Sequence, residues 1–549
     1  LALAFGLARA TGAAASPVPV SGEDYAKLVG LESPAISPDG RNAALIVRRT
    51  IWEEDRRTSE LDAVDLAGGD VQVLYRGSGV SDPAYSPDGT KLAFIADAKD
   101  GESSYAQIFV MPAQGGAPTA LTHGKAGIVS FAWRPDSHGI AYSAADAEPV
   151  LTGADRFRDS FVFTTQPIVE REPPRPVHLF ALSLDDARIT QLTFGTQSLT
   201  DGEPLSWSPD GRTIGVTLSP NAIGNDQSYS RIALVTVADK SVRPLTSHTM
   251  WEGGALFSPD GAHIAYARSN GDPQVNLTRL YVTTPSGGDG RTISARIDRP
   301  IGDYVWSSDS RSIIATAPDR TTNALYRITL DGTIERLEAG RVVPGVPLTT
   351  TGGAGSPSLE NSLARDGTLI FLGSATSQPL ELFKYTSAGG AVKVTNFNAA
   401  MEPFAWAAAE RITFPTATGV TGDGVLYLPP DFSPAKKYTL VVYIHGGPGD
   451  PTMMEFDFWA QVMAARGWLV LRPNYRGSPN LGLHYQRAIL YDPEDGPGKD
   501  IVAAINAVRS RGIVDTTRVA VCGWSYGGIM TAWLISKYHF WRVAVSGAS

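Results

Sequence analysis

Arg518-Val519-Ala520-Val521-Cys522-Gly523-Trp524-Ser525-Tyr526-Gly527-Gly528 is the stretch that decides how the C-terminal part of this chain folds. Arg518 to Cys522 reads as a buried strand, and Gly528 through Lys537 as a helix. Between them lies G-x-S-x-G, a sharp turn that lifts a serine hydroxyl off the end of a sheet. The turn is strained and needs small residues on both sides, and Gly527 and Gly528 let the helix pack close to the strand. A serine hydroxyl needs a histidine base, itself oriented by a carboxylate. On such a turn the acid and then the histidine follow the serine in the chain. No Asp or Glu follows Ser525, and the one later histidine is His539. It lies 14 residues on, roughly 20 Å along a helix, whereas a base must sit within about 3 Å of the hydroxyl. His539 therefore reads as a surface or helix-end histidine. The expectation is a hydrolase cut short, its triad incomplete, without turnover as the chain stands.

The 549 residues are 43% hydrophobic and 19% charged, a globular composition long enough for several units. A net charge of -9, with no basic stripe, argues against nucleic-acid binding. The single cysteine, Cys522, excludes an intrachain disulfide framework and reads as a small buried hydrophobe. Leu1 to Ala8 is a short apolar run followed by Ala13-Ala14-Ala15-Ser16, which reads as the remnant of a secretory signal over residues 1–15. The expected location is secreted or periplasmic. Such a run is too short to span a bilayer, and no other segment is a candidate span. No metal-ligand cluster or phosphate-binding loop is present, so no cofactor is expected.

Ser-Pro-Asp-Gly recurs at Ser37, Ser86, Ser208 and Ser258, with degenerate copies starting at Arg134, Ser307 and Ala364. The spacings are 49, 48, 74, 50, 49 and 57 residues, a period that signals stacked supersecondary units. Each copy is a tight-turn sequence between apolar runs, such as Lys91-Leu92-Ala93-Phe94-Ile95, and is usually preceded by an aromatic: Tyr85, Trp133, Trp207, Phe257 or Trp306. Leu121-Thr122, Leu192-Thr193 and Leu245-Thr246 recur between the turns. Seven copies over residues 22–410 predict an all-β seven-bladed propeller. The long spacing contains an insertion near 144–177, rich in mixed charge.

From about Arg411 short apolar strands alternate with helical stretches near Phe456–Arg466 and Ile501–Arg511, which predicts a mostly parallel sheet over residues 411–549. After the strand Thr439–Ile444 comes His445-Gly446-Gly447-Pro448-Gly449. In the α/β-hydrolase arrangement such a loop supplies one oxyanion donor and the residue after the serine supplies the other. The expected donors are the N–H groups of Gly447 and Tyr526.

A seven-fold propeller repeat followed by this elbow resembles the prolyl oligopeptidase family of serine peptidases. The runs His445-Gly446-Gly447-Pro448, Arg472-Pro473-Asn474-Tyr475-Arg476-Gly477-Ser478 and Gly523–Gly528 look like its acylaminoacyl-peptidase and bacterial dipeptidyl-peptidase branch. The resemblance implies hydrolysis of short peptides through an acyl-enzyme at Ser525, with a propeller that restricts entry. It implies a structural role for His445, where other branches carry a tyrosine. It also offers Glu170 and Glu172 in the insertion as carboxylates for a substrate's free amino terminus. Two alternatives stand beside it: a non-catalytic binding propeller with a vestigial hydrolase remnant, and an esterase on the same fold. Retention of the strained serine turn speaks against the first, and the propeller favours a peptidase over the second.

Overall fold

The Ser-Pro-Asp-Gly copies fold into one recurring turn, and its hydrogen bonds explain the residues. The Ser37 hydroxyl donates to Asp39 Oδ1 at 2.6 Å and accepts from the Asn42 N–H at 3.0 Å. Ser86, Ser208, Ser258 and Ser307 repeat both bonds. Gly40, Gly89, Gly211 and Gly261 take φ values of 74°, 75°, 67° and 72°, and in two degenerate copies Ser137 and Ser310 take 65° and 61°. The aromatics before the turns tie blade to blade: Nε1–H of Trp133, Trp207 and Trp306 donates to the carbonyls of Ala84, Ala132 and Leu256 at 3.0, 3.2 and 3.0 Å. Two of the three Leu-Thr segments have a shared task as well. The hydroxyls of Thr122 and Thr193 accept the N–H groups of Ile108 and Leu179 at 3.0 and 2.9 Å, fastening an outer segment to the strand beside it.

The computed structural model describes residues 18–101, 103–147, 152–153, 174–200, 202–272, 275–345, 347–348, 353–354 and 358–549. Seven antiparallel sheets follow one another at 29–77, 81–120, 128–191, 198–244, 252–292, 304–337 and 343–393, forming a seven-bladed propeller. Each blade is built from strands close in the chain, although in the last one a separate two-stranded hairpin at 347–354 falls between its first and second strands. The ring closes through packing of Leu31, Leu45 and Val47 of the first blade on Ile370, Leu372 and Leu382 of the last, with the Ile36 N–H donating to the Asn361 carbonyl at 2.8 Å.

The C-terminal unit is a six-stranded sheet with strands β1 (Ala408–Phe414), β2 (Gly422–Leu428), β3 (Tyr438–Ile444), β4 (Leu469–Asn474), β5 (Val514–Trp524) and β6 (Val543–Gly547), in the order β1-β2-β4-β3-β5-β6. Strands β4, β3, β5 and β6 are parallel, while β2 runs antiparallel to both its neighbours. Its helices are α1 (Phe458–Ala465), α2 (Leu483–Arg487), α3 (Asp495–Arg509) and α4 (Tyr526–Lys537). This is the partial α/β-hydrolase sheet that the sequence pattern predicts, with two differences. The first strand begins at Ala408, ahead of the expected change of pattern. Helix α3 begins at Asp495 rather than Ile501, because Gly496-Pro497-Gly498 forms its first turn instead of a loop; a side chain at Gly498 would collide with the Trp533 ring of α4.

The start of the described chain belongs with this unit rather than with the blades. Tyr25, in a 3-10 turn at Gly22–Lys27, packs its ring on Phe458 and Trp459, and Val20 is buried with Met401 and Phe456. The unit caps one end of the propeller. The Met454 N–H donates to the Thr321 carbonyl at 2.8 Å, Asn480 Nδ2 to the Arg320 carbonyl at 2.7 Å, and the Phe456 N–H to Ser374 Oγ at 3.2 Å.

Candidate active site

Strand β5 delivers Ser525 at the C-terminal end of the sheet, with φ 55° and ψ -123°, a strained conformation for a residue with a side chain. Its N–H donates to the Gly547 carbonyl at 2.9 Å, and its carbonyl accepts the N–H groups of Gly528 and Ile529 at 2.8 and 3.0 Å. The side chain is exposed. The flanking glycines leave no room for a Cβ. One on Gly523 would strike the Gly527 carbonyl, one on Gly527 the Ile444 carbonyl, and one on Gly528 the Gly547 carbonyl, all of them backbone. The helix starts at Tyr526, two residues before the predicted start, so the Tyr526 N–H lies in the first turn, where no intrahelical carbonyl is available.

The loop after β3 comes to the same serine. The point where a Cβ on Gly446 would stand is 3.6 Å from Ser525 Cβ. Gly447 has φ 102°, and its N–H finds no hydrogen-bond partner among the described residues. The loop that carries Gly447 therefore runs beside Ser525, next to which Tyr526 follows in the chain.

His445 braces this loop. Its Nδ1 lies 2.9 Å from the Gly446 carbonyl and its Nε2 3.1 Å from Ser478 Oγ, and the ring stacks on Tyr475 at 4.3 Å. Complete burial pushes its pKa down to about 4, so the ring is neutral near pH 7. With both nitrogens engaged it acts as a support. His539 is exposed beyond the end of α4, a helix roughly 18 Å long. Cys522 sits in β5 with burial pushing its thiol up to about 12, so it stays protonated.

The Arg472–Ser478 run, to which sequence reasoning gave no role, supports the loop from below. Tyr475 donates its hydroxyl proton to the His445 carbonyl at 2.8 Å. Arg476 grips buried Asp500 of α3 through Nε and Nη2, both at 2.8 Å. The readable signal was a polar Asn-Tyr-Arg run immediately after an apolar strand, where buried polar groups need partners. On the other side, the Tyr526 hydroxyl donates to the Pro493 carbonyl, fixing the loop before α3 against the elbow. Glu170 and Glu172 lie outside the described residues. Among the described residues no group of three or more His, Cys, Asp or Glu is placed to hold a metal ion, and no helix is long and apolar enough to cross a membrane.

A propeller capped by a hydrolase sheet that presents a serine elbow defines the class. Residues 454–549 match the model of the prolyl oligopeptidase family. Dipeptidyl-peptidase 5 of Porphyromonas gingivalis is 27% identical over 543 residues, covering 92% of this chain and 75% of its own length. The uncharacterized peptidase YuxL of Bacillus subtilis is 24% identical over 606 residues, covering 96% of this chain and 82% of its own. An acylaminoacyl peptidase solved in complex with Z-Gly-Gly-Phe-chloromethyl ketone shares the fold with a TM-score of 0.76 at 19% identity, over 95% of this chain and 78% of that one. The match to the prolyl oligopeptidase family is carried by residues 454–549, while over its length the chain is similar in sequence to dipeptidyl-peptidase 5 and in fold to an acylaminoacyl peptidase.

Proposed function

We propose that this protein is a serine peptidase that cleaves short peptides, of the acylaminoacyl- or dipeptidyl-peptidase type, through an acyl-enzyme on Ser525. The observation that supports it most is the strained, exposed Ser525 with the Gly446–Gly447 backbone beside it. Ser525 Oγ attacks the scissile carbonyl and loses its proton to a histidine, and the carbonyl oxygen, now an oxyanion, is held by the N–H groups of Gly447 and Tyr526. The amine leaves with that proton, and water then releases the acyl group.

No histidine among the described residues is placed as that base. His445 is engaged on both nitrogens, His484 Nε2 faces the Thr418 carbonyl at 3.1 Å, and His539 lies past α4. The 549-residue chain is accordingly expected to show no turnover. The test is to read the gene past the codon for Ser549 and assay the product of the whole frame. An Asp and then a His at strand-end positions, with peptide turnover that falls at least ~10³-fold in Ser525→Ala, supports the proposal. Turnover indifferent to Ser525→Ala refutes it. Export, proposed from the apolar run at Leu1–Ala8, is checked by N-terminal sequencing of the secreted product; a retained residue 1–15 segment refutes cleavage there.

A further inference from the structure

The loop from Gly446 carries one group that the oxyanion role leaves unused. The point where a Cβ on Gly446 would stand is 3.6 Å from Ser525 Cβ and 3.8 Å from Asp450 Oδ2, so nucleophile and carboxylate flank the same small space. Asp450 is half-buried, and its burial raises the carboxyl above its ordinary range. The side chain has no hydrogen bond or ion pair among the described residues. Burying a carboxylate in part without a partner costs free energy. Two carboxylates follow it: Glu455 is buried within the influence of the Arg472 charge, and Asp457 caps α1 by accepting the Ala460 N–H and pairs with Arg472 at 3.0 Å.

The cations of this region are taken. Arg472 is held by Asp457, and Arg476 by Asp500. Glu494 and Asp492 raise the Tyr526 phenol by their charge, after the larger effect of its burial. Carboxylates thus lie near the elbow, and Asp450, beside the same Gly446 backbone as Ser525, is without a partner among the described residues.

Resting on the reading of Ser525 as the acyl-forming nucleophile, we propose that Asp450 is a specificity-determining residue that pairs with a cationic group of the peptide close to the scissile bond. One peptide residue spans roughly 3.5 Å, so a carboxylate this near Ser525 reaches a charge on the residue at the bond or on its neighbour. The charge is an ammonium or guanidinium, from the α-amine of a short peptide or from a basic side chain. A paired and partly desolvated carboxylate discriminates more strongly than an exposed one.

Calorimetric titration of the 549-residue chain tests this without turnover. Four ligands separate the sources of charge: tetra-alanine amide with a free α-amine, its N-acetyl form, and N-acetyl forms with Lys or norleucine at the second position. At least one charged peptide is expected to bind about tenfold tighter than its neutral counterpart, corresponding to a charge-assisted hydrogen bond. Asp450→Asn is expected to erase that preference and leave the neutral peptides unchanged, while Asp450→Glu retains part of it. Equal affinity for charged and neutral peptides, a preference that survives Asp450→Asn, or binding of none of the four overturns the proposal. Ser525→Ala leaves these affinities in place, so failure here is distinct from failure of Ser525 as the nucleophile.

Discussion

The propeller turns and the serine elbow both hold a residue at positive φ at a strand end, and they tolerate change very differently. In the blades the position takes Gly at φ 67–75° in the intact repeats and Ser at 61° and 65° in degenerate ones. A Cβ on Gly89 would meet only the Pro38 ring, at 3.8 Å. At the elbow, Ser525 has φ 55°, and Gly523, Gly527 and Gly528 face backbone oxygens with no space for one more carbon. A turn repeated around a ring needs a local hydrogen-bond pattern. A turn used once, at the crossing of β3, β5, β6 and α4, needs three chain segments at closest approach.

The comparison breaks or sharpens under substitution. Gly528→Ala should have the largest effect, destabilising the C-terminal unit by about 3 kcal/mol because rigid backbone must move. Denaturant unfolding followed by tryptophan fluorescence should show that unit melting early while the propeller transition holds. An unchanged first transition contradicts the close-approach account.

A similar effect is tied to pH. His445 has a folded pKa of about 4, against an unfolded value of about 6.5. As pH falls through 6.5 the unfolded chain takes up a proton that the folded chain refuses. Stability from the neutral ring is thus present above 6.5 and is lost down to about pH 4, by about 3 kcal/mol. Between pH 7 and 4, wild type should lose about that much more stability than His445→Gln; parallel profiles would count against a buried neutral ring.

Gly89→Ala should cost only about 1 kcal/mol, the price of a left-handed Ala in an open turn, and should act on the propeller transition alone. A loss as large as that from Gly528→Ala would erase the contrast. The smallest change concerns the edge of the sheet. Val543 and Val545 of β6 are 56% and 62% exposed, an apolar edge of the kind that invites pairing between chains. Val545→Lys should leave the melting transitions within about 0.5 kcal/mol and reduce light scattering of concentrated chain.

Legibility in the sequence follows the same division. The propeller was readable because its signal is repeated: the Ser hydroxyl, the Asp side chain and the positive-φ residue act within one short turn, and each copy restates them. The elbow was readable because its glycines and serine are adjacent. Other features depended on contacts between distant residues. Gly496-Pro497-Gly498 looks like a loop, yet it forms the first turn of α3, where the Trp533 ring leaves room only for a glycine at 498. The 3-10 turn holding Tyr25 belongs to the C-terminal unit through rings more than 400 positions away. The bracing of His445 by Tyr475 and Ser478 required knowing that β3 and β4 are neighbours. Asp450 had no local pattern at all; only its place beside Gly446, as Ser525 is, and its lack of a partner among the described residues single it out.

The claim that Ser525 is a nucleophile is tested most directly by covalent labelling. The product of the whole reading frame and its Ser525→Ala variant would be treated with a fluorophosphonate probe, digested and examined by mass spectrometry. One adduct, on the peptide containing Ser525 and missing from the variant, is the predicted result. An adduct elsewhere, or none on a product that carries the following Asp and His, contradicts it.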